Sequence, residues 1–234
     1  MRLYFIRHAQ SANNALWEAT QSDAGRSDDP ILTDLGVRQA VALRDALARA
    51  ADPLEGHGSP ALTHLYCSPM TRAVQTALEV ARGTGLTPQI WEEWHESGGI
   101  WQDRDGVRVG LEGQNRGYFQ QQFPNVALPD NFAPQGWWSR DYEDNTALLP
   151  RAKRVWAELL TRHGGTTDRI AVVSHGHFYA FVMAVALRLH SLDGVFFVLN
   201  NTGVTRLDHR ENLHQTTNLI YANRIDHLQP ALVS

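Results

Sequence analysis

The apolar run Leu3-Tyr4-Phe5-Ile6 stops at Arg7-His8, and Gln10, Ser11, Asn13 and Asn14 follow at once. A β-prone run ending in a charged pair suits the rim of an α/β sheet, where ligands sit beyond the carboxyl ends of the strands. Serine and asparagine add hydroxyl and amide donors there. Taken alone, the pair is equally a solvated surface turn. Two later positions tip the balance. Arg72 falls in the first turn of a helix that follows a strand candidate over 62–67, and His175 follows the β-branched run 170–173. In a parallel sheet such positions share one edge, where exposed helix N–H groups also attract anions. Two guanidinium forks and two imidazoles suit phosphoryl transfer, which asks mainly for positioning and charge stabilisation. In this reading Arg7 and Arg72 hold the phosphoryl group and His8 accepts it, splitting one hard step into two. One ring nitrogen of His8 attacks while the other is held, typically by a backbone carbonyl. His175 donates to the phosphoryl oxygens. The scheme requires no metal and no cofactor.

These groups need a frame. Residues 15–31 are polar and turn-rich and read as a loop. Thr33 is the expected N-cap of a helix to about residue 51, with Leu35, Ala40, Leu43, Ala46 and Leu47 as its apolar stripe. Pro and Gly break the pattern over 52–60. Ser68-Pro69 supplies a cap residue and then a proline at the first helical position, and Ala73, Val74, Ala77, Leu78 and Ala81 face inward. Residues 151–163 and 178–189 read as helices, and 170–173 as a strand buried on both faces. Further strands are expected at 195–199, 203–207 and 219–223, the last ones paired as a hairpin. Strands alternating with helices predict an α/β fold with a largely parallel sheet.

Residues 90–149 differ, holding five of the seven tryptophans with little hydrophobic periodicity. So long an irregular stretch within a compact domain is usually a lid or binding loop. It is read as a cap inserted at about 91–149 into a single domain spanning 1–234. Its tryptophans either pin it to the body or stack on a substrate. Arg104, Arg108, Arg116 and Arg140 either grip a second anionic group or are solvated.

The chain has 43% hydrophobic and 20% charged residues and a net charge of −4, ordinary for a globular protein. Lys153 is the only lysine, so arginine carries the positive charge, favouring a small anionic substrate over nucleic acid. Cys67 is the single cysteine, which excludes a disulfide framework. No apolar segment is long enough for a bilayer, no signal-peptide pattern opens the chain, and a cytoplasmic location is expected. Oligomeric state is not readable.

The segments RHAQSANN, LTDLG–RQA, SPMTRAVQTA and VVSHGHF together resemble the histidine phosphatase (phosphoglycerate-mutase-like) superfamily, in order and over nearly the whole chain. The resemblance implies a three-layer sandwich, with a mostly parallel central sheet and helices on both faces. It makes His8 the phospho-accepting histidine and Arg7, Arg72 and His175, with Gly176, the phosphate pocket; Ser11 and Asn14 occupy the family's polar substrate-binding positions. It also implies a general acid, a carboxylate shortly after the Arg72 helix. WEEWHESGG offers Glu92, Glu93 and Glu96, and Glu96 fits best, with Glu93 second. Ala9 replaces the family's usual glycine, and its methyl group is expected to narrow the approach to His8. A phosphomonoester hydrolase acting on a small phosphorylated substrate is the reading; a phosphoglycerate mutase and a catalytically silent phospho-ligand binding module are the alternatives. Two other patterns are set aside. Cys67 and Arg72 lack the spacing of a cysteine phosphatase, and His175-x-His177 has no acidic ligand beside it.

Overall fold

The computed structural model describes residues 1–49, 61–211 and 216–234. Its elements run β1 (Arg2–Arg7), α1 (Ala12–Thr20), α2 (Asp34–Ala48), β2 (His64–Cys67), α3 (Thr71–Thr84), β3 (Gln89–Ile90), β4 (Trp101–Arg104), β5 (Val107–Gly110), α4 (Arg116–Gln122), α5 (Asn145–His163), β6 (Arg169–Ser174), α6 (Gly176–Ala186), β7 (Val204–Arg210) and β8 (Thr216–Arg224). The main sheet has the order β3-β2-β6-β1-β7-β8. From β3 to β1 neighbours are parallel; β7 and β8 join antiparallel at one edge. The fold is the mostly parallel α/β sheet expected.

Alternation along the central strands sorts their side chains to opposite faces. Tyr4, Ile6, Ala171 and Val173 pack with Leu43 and Leu47 of α2 and with Val74, Ala77 and Val80 of α3. Leu3, Phe5, Ile170 and Val172 pack instead with Val155 and Leu159 of α5 and Phe178 and Val182 of α6. Each fully buried side chain of this size contributes about 1.5–3 kcal/mol. Both faces are therefore anchored, and the strand ends between them are held rigidly.

Several boundaries differ from expectation. Residues 12–20 form α1 rather than part of a loop, because Ser11 and Asn14 make a reciprocal cap: Asn14 N–H donates to Ser11 Oγ at 3.3 Å and Ser11 N–H to Asn14 Oδ1 at 3.1 Å. Thr33 caps α2 as expected, accepting from Gly36 N at 3.0 Å. Helix α3 begins at Thr71, not Pro69; Ser68 Oγ accepts from Met70 N at 3.2 Å instead of capping a helix. The missing cap is supplied from outside by Asp29, which accepts from Thr71 N at 2.9 Å and Thr71 Oγ1 at 2.7 Å. Helix α5 starts six residues early at Asn145 under the Asp144 cap and carries Pro150 inside it. Residues 195–199 are not a strand; Phe196 is 82% exposed there. The hairpin β4–β5 and α4 lie in the stretch whose periodicity was too weak to read. The expected break at 52–60 lies outside the described residues.

Candidate active site

Register brings the chemistry together. Arg7 is level with Ser174, and Cys67 with Val173, so His8, Ser68 and His175 emerge side by side from three neighbouring strands. The rings of His8 and His175 lie 5.0 Å apart. Arg72, one residue into α3, donates from Nε to His8 Nε2 at 3.1 Å. The two imidazoles and two guanidinium groups converge on one edge, as predicted.

His8 is buried, and its Nδ1 lies 2.7 Å from the carbonyl of Ala9. A carbonyl only accepts, so Nδ1 carries the proton and Nε2 carries the lone pair. Burial, reinforced by Arg72 and Arg7, holds its pKa well below the usual 6.5, so the ring is neutral at neutral pH. Asn201 Nδ2 fixes the backbone by donating to the His8 carbonyl at 2.9 Å, and Ala9 N–H donates to Thr76 Oγ1 at 3.0 Å. The Ala9 methyl group packs with Leu32 and Ala40 and does not line the cavity. His175 is also held neutral, by burial first and then by Arg72 and His8. Its Nε2 lies 2.8 Å from Ser68 Oγ, and its Nδ1 is buried without a partner. Where Ser68 Oγ donates to His175 Nε2, the imidazole proton lies on Nδ1.

Arg7 and Arg72 are largely withdrawn from water; among the described residues neither is ion-paired, and the nearby carboxylates act on them only at longer range. Arg7 donates from Nη1 to the Leu199 carbonyl at 2.6 Å, while its Nε is buried and unpartnered. Arg72 has only His8 and the Met70 sulfur, 3.1 Å away. Burial lowers both pKa values from the ordinary arginine range, opposed for Arg7 chiefly by Glu96 and for Arg72 by Asp29 and Glu96. Buried charge that is only partly compensated is costly, and a compact anion placed between the two would offset that cost.

A cavity of about 600 Å³ opens over this edge, lined by Arg7, His8, Ser11, Asn14, Arg72, Glu96 and Gly176, together with His177. His175 stands behind His8 rather than on the wall. Gly176 matters for space, since a Cβ there would lie 3.3 Å from Arg7 Nε. Glu96 is held by three amides, those of Ser97 (2.9 Å), His177 (3.1 Å) and Phe178 (2.9 Å), the last two at the start of α6. Glu93 turns the other way, pairing with Arg154 at 2.9 Å, and Glu92 is likewise off the cavity. The loop bearing Glu96 is pinned by Arg151, which donates to the carbonyls of Glu93 (2.7 Å) and His95 (2.9 Å) and pairs with Glu143 at 2.7 Å. Gly99 next to it needs both a positive φ (+70°) and no side chain, because the Trp138 ring fills the space.

All five tryptophans of the irregular stretch are buried, so they anchor it. The arginines there whose contacts are resolved are engaged locally: Arg108 with Tyr142, Arg116 with the carbonyls of Pro129 and Asp130, Arg140 over Trp138. Sequence reading missed Ser68, Asn201 and Asp29 as parts of the site, and also Arg26, which lines the cavity from the polar loop after α1. Ser68 directly follows strand β2, a usable signal, whereas Asn201 meets the site only across the fold, through its bond to the His8 carbonyl. Asp29 and Arg26 gave none. Among the described residues, one group has ligand atoms suitably close for a metal, His64, His163 and Asp168, at the opposite end of the strands. There His163 is engaged by Asp168 and Tyr66.

The sequence model of the histidine phosphatase superfamily (branch 1) matches residues 3–220. No curated protein matches the sequence. Among solved structures, the fold is similar to a phosphoserine phosphatase from Entamoeba histolytica in complex with 3-phosphoglyceric acid, with TM-score 0.61 and 20% identity over 97% of this chain and 99% of that one. A mycobacterial glucosyl-3-phosphoglycerate phosphatase complexed with VO3 aligns with TM-score 0.62 and 20% identity over 95% and 98%. Mycobacterial hydrolase 2 aligns with TM-score 0.64 and 19% identity over 99% and 94%. At such identities the likeness concerns the fold.

Proposed function

We propose, on the premise that this chain belongs to the histidine phosphatase superfamily (branch 1), that it hydrolyses small phosphomonoesters through a phosphohistidine at His8, without a metal. The observation that supports this most is the pair of largely buried guanidinium groups, neither in a salt bridge among the described residues, flanking a neutral imidazole whose Nε2 lone pair faces Arg72. Arg7 and Arg72 take the phosphoryl oxygens, and Arg72 Nε exchanges its His8 contact for one of them. His8 Nε2 forms the bond to phosphorus as the ester oxygen leaves. Glu96 supplies the proton to that oxygen. His175, buried beside His8 and off the cavity wall, reaches the phosphoryl group through Nδ1–H only once that group is seated on His8, where it stabilises the developing charge. Glu96 then takes a proton from water, which attacks phosphorus and breaks the N–P bond, returning neutral His8 and inorganic phosphate. Ser11 and Asn14 contribute polar contacts, and residues 91–149 act as a cap whose Glu96 loop closes one wall.

The test is turnover of a chromogenic aryl phosphate in the presence of a metal chelator, with His8→Ala alongside. Turnover that survives chelation and vanishes in the variant is expected. Absence in both proteins would favour a silent binding module. Transfer of the label to a phosphorylated acceptor rather than water would favour a mutase.

A further inference from the structure

The cavity holds a third arginine that the mechanism does not use. Arg26 stands in the loop after α1, half-buried, and lines the same cavity as Arg7 and Arg72. Its guanidinium lies 3.8 Å from the centre of the Trp101 ring and donates from Nη1 to the Trp101 carbonyl at 2.6 Å. Stacking and that bond fix the fork while leaving Nε and Nη2 without a partner among the described residues. No carboxylate there is ion-paired with it, although Asp23 and Asp28 lie close enough to be felt. Burial first, and then Arg72, lower its pKa, which places the two guanidinium groups within electrostatic reach of each other. A fixed, half-desolvated guanidinium with open donors is a ready partner for a second anion. The outer wall is mixed: Trp17, Phe196 and Val198 are exposed apolar side chains on it, while Asn13 and Asp23 also line the cavity.

We infer that Arg26 forms a second anion subsite, selecting phosphate esters whose leaving group carries a further anionic group, a carboxylate or a second phosphate. This rests on the phosphate cradle proposed above. The subsite would explain why a loop residue is stacked and hydrogen-bonded inside the cavity rather than solvated. Trp101, with Arg26 on its ring, is then a positioning residue for that fork.

Binding of non-hydrolysable phosphonates tests the subsite independently of turnover. Ethylphosphonate carries one anionic group; phosphonoacetate and 3-phosphonopropionate add a carboxylate at two reaches, and methylenebisphosphonate adds a second phosphonate. Calorimetric titration of the wild type should show at least one of the doubly functional ligands bound about tenfold tighter than ethylphosphonate, the range of a charge-assisted hydrogen bond. In Arg26→Met that ratio should collapse to near one, and Arg26→Lys should restore part of it. A gain with the carboxylates alone identifies the second group as carboxylate; a gain with the bisphosphonate alone identifies it as phosphate. Ethylphosphonate binding with no gain from any second anion, or a gain that survives in Arg26→Met, overturns the subsite while leaving the cradle intact. Failure of the wild type to bind any of the four overturns both.

Discussion

At the scale of single residues, the site is governed by burial. His8, His95 and His175 are all buried, and for each burial is the main cause of a pKa held well below 6.5. A histidine that stays neutral in the fold but protonates when unfolded stabilises the protein fully above about pH 6.5 and progressively less as pH falls below it. Each contributes a slope of up to about 1.4 kcal/mol per pH unit in that window. Asp29 and Glu92, whose carboxyls are pushed up by burial, act in the opposite sense, while His209 and His227, also held below 6.5, add to the effect of the three site histidines. The urea midpoint should therefore fall clearly between about pH 7 and pH 5; a flat profile would show that these rings protonate freely in the fold. Glu96→Gln should lower the turnover of alkyl phosphates by about 10²–10⁴-fold, the usual worth of a general acid, and that of a good aryl leaving group much less in the first step. Equal losses on both would argue that the carboxylate only shapes the loop. Arg7, His8, Arg72 and His175 were legible because each sits where a patterned strand or helix begins or ends. Arg26 was not, since nothing local distinguishes a cavity arginine in a polar loop from a solvated one.

Helices and strands were readable wherever apolar periodicity was strong, as in β1, α2, β6 and α6. Several errors fell where caps, not periodicity, decide the boundary; the strand expected at 195–199 failed differently, its apolar run being largely exposed rather than paired. Ser11–Asn14 starts a helix with no buried face, and Asp29 caps α3 across the chain, a contact that no linear pattern encodes. The irregular stretch is organised by tryptophan burial and by Arg151, whose guanidinium is 2% exposed and lies 3.7 Å from the Phe178 ring centre. Arg151→Met leaves Glu143 without its buried partner and frees the carbonyls of Glu93 and His95. Breaking such a pair costs about 3–5 kcal/mol. Denaturant unfolding should show that loss, and the Glu96 loop should loosen with it, so kcat should drop in the surviving folded fraction. An unchanged midpoint would mean that the pair contributes little to holding the loop.

For the molecule as a whole, a sheet anchored on both faces presents a rigid rim, and two cations are buried there at a cost in stability. A dianion that fills the cradle should repay that cost by mass action. Inorganic phosphate at about a hundred times its dissociation constant should stabilise the fold by about 2.7 kcal/mol, visible as a rise in Tm that sodium chloride of equal ionic strength does not reproduce. Arg72→Met should abolish the rise; a rise that persists would place the anion elsewhere. The sheet and its motifs were visible in the sequence because hydrophobic strands and their flanking residues are local. The shape of the cavity was not, since it depends on three loops meeting in space. Rapid alkaline quench during turnover of an aryl phosphate, followed by peptide mass spectrometry, would catch the phosphoryl group on His8 itself. A phosphoryl adduct on the peptide containing His8, absent from His8→Ala, is the expected result; steady turnover by His8→Ala, or an adduct on another residue, would contradict it.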